Sequence, residues 1–406
     1  MKSLLRPCPI CTHGFGTVVH HQEFLAPDEL NAPAEVDIVS CARCGLVFSD
    51  LDSVQSEIDL AYEQHSKYAD TSLYENEKAE EIAPDAPWDL DRLEKTAAFL
   101  ASRAEDRSVR VLDAGCATGS LLGFLKRQGF TNLVGLDPSP MATATAHRLH
   151  EVETVAGSFI TPPPGLGHFD VIVLSHVLEH LLDVRAAVAS MFSLLSPGGL
   201  VYLEMPDATR YTDCLVAPFH DFNTEHINHF SPRTLRLLMD DHGFREVEVG
   251  RKTVLCSPTD PYPALYGIWQ RPETVTSSAT SVSVDDELAA AIADYIQKST
   301  ALMARYATLL DNAIGEREVV LWGAGQLSMK LLAGPLRHHR VHSVIDSSTQ
   351  KQGLHLGEVE IRAPEAIKGL PLPIVVGSVH HQASIVRSIR EEWGSANPLV
   401  LLRPDR

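Results

Sequence analysis

The stretch whose reading decides the fold is Val109–Leu125, VRVLDAGCATGSLLGFL. It reads as a strand, a glycine-bearing turn and the start of a helix. Gly115 and Gly119 let the backbone turn tightly and come close to a ligand, and Asp113 ends the strand with a carboxylate aimed at the same crevice. Eighteen residues after Gly119 stands Asp137, closing the run LVGLD, where an acidic side chain can accept both hydroxyls of a ribose. Two further apolar runs, FDVIVLS and GLVYLEMPD, follow with helical patterns between them. Strands alternating with helices predict a mostly parallel sheet covered on both faces.

Working outward toward the N-terminus, LDRLEKTAAFLASRAE has a helical pattern, and Tyr62 to Trp88 is polar and tyrosine-bearing with no sustained apolar period. That segment reads as a connector or lid. Before it stand two C-x-x-C pairs, Cys8 and Cys11 in CPIC, and Cys41 and Cys44 in CARCG. Each such turn points two sulfurs at one centre, so the doubled motif predicts a tetrahedral zinc site. Four thiolates leave no open position, which makes the expected metal structural. Four unligated thiols or a redox pair are the alternatives.

Toward the C-terminus, Pro272–Asp286 (PETVTSSATSVSVDD) is a Ser/Thr-rich linker by composition, and the stretch from Glu287 to Ile314 has apolar residues spaced about a helical turn apart. A second α/β unit begins at REVVLWGAGQLSMKLL and runs through VHSVIDSS and PLPIVVGSV to NPLVLL. Gly323 and Gly325 follow its first strand and Asp346 ends the next, a second nucleotide-like arrangement.

The bulk properties bound what such a chain does. Its 406 residues suffice for two or three cores, and its 44% hydrophobic content is ordinary for a soluble protein. No apolar run is long enough to span a bilayer, and MKSLLRPCPIC lacks the apolar core of a secretory signal. Cytoplasmic location without membrane association is therefore expected, in keeping with cysteines paired for metal in a reducing compartment. The formal charge of −19, from 34 Lys plus Arg against 53 Asp plus Glu, repels a phosphate backbone and argues against nucleic acid as a partner.

The motifs VLDAGCATGSLL, VGLDPSP, FDVIVLSHVLEHL and LLSPGGLVYLEMPD, between Ala97 and Val249, resemble the successive motifs of class I S-adenosylmethionine-dependent methyltransferases. Ala117 stands where that family commonly has a glycine. LDAGCATG also lacks the G-x-G-x-x-G spacing of a dinucleotide site, which disfavours NAD. The resemblance implies cofactor contact by Asp113, Gly115, Cys116 and Gly119, ribose contact by Asp137, and adenine contact near Ser158 and Phe159. With the cysteine pairs before it and the LWGAGQ unit after it, the order of parts is similar to that of the zinc-containing sugar C-methyltransferases, which act on nucleotide-linked keto-deoxysugars. The implied fold class is α/β. It comprises a zinc-binding segment over residues 1–60, a lid or connector over 61–95, and a Rossmann-like methyltransferase domain over 96–250. A linker and helical segment over 251–312 and a Rossmann-like C-terminal domain over 313–406 complete it. The resemblance suggests the last domain as a docking wall for the nucleotide-sugar, in preference to an NAD site.

The remaining signal is HDFNTEHINHFS, His220–Ser231. In the sugar C-methyltransferases a Tyr-x-Glu-His segment followed by an aromatic and Ser lines the substrate side of the cleft. This chain keeps Glu225, His226, Phe230 and Ser231 but has Asn223 where the tyrosine falls. Carbon methylation through an enolate needs a base for the proton, and His226 oriented by Glu225 suits that role. His180, in VLEH, is the second candidate, and Tyr68 is a third by similarity to a lid tyrosine of the family. His220 and His229 read as loop or substrate-rim residues. The three histidines lack an H-E-x-x-H face, so the loop reads as a substrate and catalytic segment, not a metal site. The expected function is methyl transfer from S-adenosylmethionine to carbon of a nucleotide-linked sugar or similar small molecule, with O-methylation as the chemical rival. A non-catalytic scaffold is disfavoured by intact Asp113, Gly115, Gly119 and Asp137.

Overall fold

Burial along Glu35–Cys41 shows why the N-terminal segment forms strands: Val36, Ile38, Val39 and Cys41 are all buried, while Glu35, Asp37 and Ser40 are more exposed. In the computed structural model of this chain, which describes residues 1–27, 33–65, 86–274 and 281–403, that segment contributes β1 (Lys2–Ser3), β2 (Phe15–Glu23), β3 (Glu35–Cys41) and β4 (Val47–Ser49). Helix α1 (Gln55–His65) and helix α2 (Pro87–Arg103) follow; α2 starts with a proline at its first turn, where the missing N–H costs nothing.

The central sheet then unfolds in the expected order: β5 (Arg110–Ala114), α3 (Ser120–Arg127), β6 (Asn132–Asp137), α4 (Pro140–His150), β7 (Glu153–Ala156), β8 (Phe169–Ser175), α5 (Val184–Leu194) and β9 (Leu195–Pro206). The two-residue β10 (Asn228–His229), α6 (Pro232–Asp241), β11 (Arg245–Leu255) and β12 (Pro261–Gln270) come next. Strand order is β11-β12-β9-β8-β5-β6-β7, parallel from β9 to β7, with β12 and β11 antiparallel at one edge. The order reverses between β5 and β8. The C-terminal ends of these two strands therefore form the topological switch point where open α/β sheets bind ligands. Residues 251–312 are not wholly linker and helix: β12 lies inside that range and completes the sheet, its buried Leu265, Ile268 and Trp269 giving it a two-sided apolar pattern.

Period-two alternation splits the core between the faces of the sheet. Leu112, Leu136, Leu174 and Leu203 pack with Val184, Ala187 and Val188 of α5 and Leu235 and Leu238 of α6. Val111, Leu133, Val173 and Tyr202 pack with Ala97 and Ala101 of α2 and Leu121 and Leu125 of α3. Local capping fixes where two helices start. Ser139 accepts from the Ala142 N–H at α4, and Ser231 with Thr234 forms a reciprocal box at α6.

Two compact units emerge from the contacts, one made of Met1–Val18, Val39–Tyr211 and Glu225–Ala291, the other of Val19–Ile38, Thr212–Thr224 and Ile292–Arg406. The long helix α7 (Asp286–Ile314) passes from the first into the second. Beyond it stand β13 (Val319–Trp322), α8 (Gln326–Ala333), β14 (Val341–Ile345), β15 (His355–Leu356), β16 (Val359–Arg362), β17 (Ile374–Val376), α9 (Gln382–Arg387) and β18 (Leu399–Leu401). They make a sheet of order β15-β16-β14-β13-β17-β18, parallel except for the β15/β16 hairpin. Among the described residues no helix is long and apolar enough to cross a membrane.

Candidate active site

The turn after β5 is built by backbone that side chains rarely adopt. Gly115 and Gly119 have φ of 82° and 80°, and a Cβ on Gly115 would stand 2.6 Å from Val177 Cγ2. Ala117, in the place of a family glycine, adopts φ of 47° regardless, a strain on the order of 1 kcal/mol. Asp137 at the end of β6 holds this turn: its Oδ2 accepts the Ala117 N–H and its Oδ1 the Ser139 N–H, both at 2.9 Å. Gly157 donates its N–H to the Asp137 main-chain oxygen, which brings half-buried Ser158 and buried Phe159 to the same edge. Burial pushes the Asp137 carboxyl up to about 6 despite its two amide donors. Burial and the neighbouring Asp137 push Asp113 up to about 7, with Arg92 opposing them. Cys116 packs its sulfur against Gly135 of β6, and burial raises its thiol well above the ordinary value. Thus Asp113, Gly115, Cys116, Gly119, Asp137, Ser158 and Phe159 all gather at the switch point.

Beside this cradle lies the segment after β8, His176 to Leu181, whose Val177 is the side chain that Gly115 makes room for. His176 is held at φ of 57° with its N–H donated to the Glu204 main-chain oxygen at 2.7 Å. Its ring lies between two buried carboxylates, Nδ1 at 3.1 Å from Glu179 Oε1 and Nε2 at 3.4 Å from Glu204 Oε1. Burial and Arg92 disfavour a charge on this ring, but the two glutamates outweigh them and its pKa is raised. Glu204 in turn receives Lys252 Nζ at 2.6 Å and the Tyr202 hydroxyl at 2.7 Å, with Arg92 3.5 Å away. Burial alone would raise that carboxyl; His176, Arg92 and Lys252 pull it well below the usual range instead. Sequence reading missed both His176 and Glu204. The signals were a histidine directly after an apolar strand and a lone glutamate inside the apolar run VYLEM.

The Glu225–His229 segment is stitched to the Leu178–Leu181 turn. His180 Nδ1 lies 3.1 Å from the Glu225 main-chain oxygen, the Ile227 N–H donates to the Glu179 oxygen at 2.8 Å, and the Asn228 amide donates to the oxygens of Leu178 and Leu181. A carbonyl only accepts, so His180 donates from Nδ1, which in the neutral ring leaves Nε2 as the lone pair. The His180 and His226 rings meet edge to face with centroids 4.9 Å apart. The structure thus brings His180 and His226 together and places Glu225 exposed at the rim, its main-chain oxygen fixing His180. His229 is no rim residue: it is fully buried opposite Val47 in β10, bonds the Tyr211 hydroxyl, and burial lowers its pKa to about 3. His220 belongs to the other unit and packs against His380. Tyr68 lies outside the described residues.

The four paired cysteines also converge. Cys8 and Cys44 sulfurs are 3.5 Å apart, as are those of Cys11 and Cys41, and all four lie within 4.8 Å of one another. Hydrogen bonds within the set push the Cys8 and Cys44 thiols up and Cys41 far down. Arg6, between the cysteines and the site, donates to the main-chain oxygens of Ser49, Leu182 and Ile227. In the second unit, Asp346 repeats the Asp137 arrangement: Oδ2 accepts the Ala324 N–H at 2.7 Å and Oδ1 the Ser348 N–H at 2.9 Å.

Part of the chain also matches known proteins. Residues 87–249 match the model of a family described as "Methyltransferase domain". A ubiquinone biosynthesis O-methyltransferase of Methylocella silvestris is 32% identical over 106 residues, 23% of this chain and 38% of that one. A probable S-adenosylmethionine-dependent methyltransferase of Mycolicibacterium smegmatis is 30% identical over 153 residues, 37% of this chain and 56% of its own. The chain spans from about two fifths to just over half of the length of these curated relatives. Among solved structures, magnesium protoporphyrin IX methyltransferase from Synechocystis with bound SAH matches at 14% identity and a TM-score of 0.39, covering 53% of this chain and 99% of that one.

Proposed function

We infer, from the premise that residues 87–249 form a methyltransferase domain, that this chain methylates a small molecule with S-adenosylmethionine as donor. The observation that carries the reading is the Gly115–Val177 contact. It sets the cradle and the His176–Leu181 turn side by side, and that turn holds His226. The cradle fits a nucleoside. Asp137 has acceptor capacity beyond its two amide bonds for ribose hydroxyls, and Gly115 and Gly119 keep the backbone bare where a ligand approaches. Asp113 and Cys116 complete the floor, with Ser158 and Phe159 at the adenine end. When bound, the donor supplies a methyl group on a positively charged sulfur.

The rest is the work of this chain's own side chains. His226, half-buried and braced by His180, accepts a proton from the acceptor, and His176, Arg92 and Lys252 hold Glu204 ionised beneath the site. The acceptor proposed is a nucleotide-linked keto-deoxysugar methylated at carbon, a reading supported by the order of cysteine pairs, methyltransferase motifs and C-terminal α/β unit. A second reading, O-methylation, is favoured by Asn223. Buried, with its side-chain amide donated to the His220 oxygen, it offers no proton-transfer group in the place of the family tyrosine. The cysteine set is proposed to hold zinc as a structural ion, since sulfurs about 2.3 Å from a common tetrahedral centre stand about 3.8 Å apart, close to the 3.5 Å separations here.

The test is mass spectrometry of products from a panel of nucleotide-linked keto-deoxysugars incubated with donor in deuterated water. Methylation with exchange of a ring C–H marks carbon transfer through an enolate. Methylation whose fragment ions carry the added methyl on a hydroxyl oxygen marks transfer to oxygen, and a panel left unmethylated by a protein that binds the donor overturns the substrate class.

A further inference from the structure

We propose that Glu179, His180 and His226 bind a divalent first-row metal ion at the acceptor edge, separate from the cysteine set. The substrate half of this proposal, that the acceptor reaches the ion through two adjacent oxygens, rests on the methyltransferase reading. The binding half does not.

The donor atoms of these three residues all lie within 4.8 Å of one another. Ligands about 2.1 Å from a shared ion stand roughly 3.0–3.4 Å apart at right-angled or tetrahedral geometry, so the separations must shorten by up to roughly 1–2 Å to close the set. Two imidazoles and one carboxylate form the facial set that leaves open coordination positions on iron(II) and related ions. Three further observations point to a ligand rather than to packing. Glu179 is 1% exposed, and among the described residues neither carboxylate oxygen has an aligned hydrogen-bond donor; His176 Nδ1, 3.1 Å away, sits at ion-pair distance without that alignment. A buried carboxylate so poorly satisfied is costly unless something else neutralises it. His180 places its N–H on the Glu225 main-chain oxygen and so presents the bare Nε2, which is how a ligating imidazole is oriented. The ligands are also fixed in advance: the bond from the Ile227 N–H to the Glu179 main-chain oxygen and the two bonds from Asn228 lock the segments bearing His226 and His180 together.

The sequence had argued against metal here because the histidines of His220–Ser231 share no helical face. The structure recruits the other two ligands from the turn after β8, so spacing within the loop does not matter. An ion in this position defines the acceptor class as a vicinal diol, a catechol or an α-hydroxy ketone, whose two oxygens fill adjacent open positions. The chelated hydroxyl loses its proton to water with the ion as Lewis acid, and His226 then serves as a ligand instead of the proton acceptor.

Manganese(II) tests the binding half, because it prefers imidazole and carboxylate to thiolate and leaves a zinc-filled cysteine set alone. Titration of the full chain, followed by the electron paramagnetic resonance signal of free Mn2+, should show one bound ion per chain. Glu179→Gln and, independently, half-buried His226→Asn should each raise the dissociation constant about tenfold or more, with SAH binding by calorimetry retained as proof of fold. If Glu179→Gln does not fold, His226→Asn and His180→Asn carry the test. Wild-type protein that leaves the Mn2+ signal unchanged, or folded variants that bind as tightly as wild type, would overturn the proposal. Glu179 would then serve only to pair with His176. With Co2+ in the site, catechol should alter the visible bands while phenol at the same concentration leaves them, and equal responses would sink the two-oxygen acceptor. Methyl transfer that survives in a protein shown to bind no Mn2+ would refute the ion and spare the methyltransferase. An ion bound by a protein that methylates nothing would do the reverse.

Discussion

Replacing Asp137 by Asn separates cofactor binding from folding because the two respond in opposite directions. The carboxylate is 1% exposed and accepts two main-chain N–H groups at 2.9 Å each. Asparagine retains one oxygen and presents an NH2 group where the second amide donates, leaving a buried donor unmet at about 1–3 kcal/mol. Against this, burial has moved the acid from its ordinary 3.8 to about 6. Holding it ionised at pH 7.5 therefore costs the fold roughly 3 kcal/mol, which the neutral amide avoids. The variant without ligand should melt at or slightly above the wild-type temperature at pH 7.5. A raised folded pKa gives stability that is complete below the unfolded value and lost as pH rises through the folded one. The wild type should accordingly gain on the variant as pH falls from about 6 toward 4. Ligand binding moves the other way. Exchanging two charge-assisted hydrogen bonds to the ribose for one neutral bond loses about 2–4 kcal/mol, a rise in Kd for SAH of roughly 30-fold to 10³-fold. Calorimetry with SAH beside thermal melts at pH 7.5 and 5 measures both. A cooperatively melting Asp137→Asn protein whose Kd stays within about threefold of wild type would refute the assignment of this carboxylate to the ribose.

Two further outcomes are expected. Cys41→Ser should lower zinc from about one equivalent to near none by elemental analysis and drop the melting temperature, since a site missing one thiolate loses much of its folding contribution; unchanged metal content would remove zinc from the reading. His229 stays neutral in the fold down to about pH 3 while its unfolded counterpart protonates near 6.5, so stability drains away as pH falls between those values. His229→Gln should flatten the decline in unfolding free energy from urea melts between pH 6 and 4 by up to about 1.4 kcal/mol per pH unit, and an unaltered slope would show that another group governs acid unfolding.

What the sequence made legible was whatever depends on local periodicity and backbone geometry. The β5 turn, Asp137 and the α/β alternation from Val109 to Pro206 follow from neighbours in the chain, and the structure repeats them. Strand β12, next to the edge strand β11, escaped notice because PYPALYGIWQ carries two prolines and a glycine, which weaken a strand pattern that pairing with β9 and β11 nonetheless stabilises. His229 looked like its neighbours in a polar loop; its burial comes from pairing with β4, some 180 residues earlier. Likewise Glu179 in VLEH and His226 in NTEHIN are unremarkable apart. Their meeting depends on the Asn228 and Ile227 bonds, which no window of sequence contains.

The pairing of β10 with β4 has an engineering consequence. His229 and Asn228 lie against Val47 and Phe48, and Arg6 spans from Ser49 to Leu182 and Ile227. A chain trimmed to begin at residue 87, where the family match starts, would keep the residues proposed to hold the nucleoside yet lose the splint behind Asn228 and His229. Bared edge amides would invite self-association, and what remained soluble should hold its donor while handling acceptors poorly. Arg6 and the strand Val47–Ser49 are better regarded as a brace for the Glu225–His229 segment than as a detachable header.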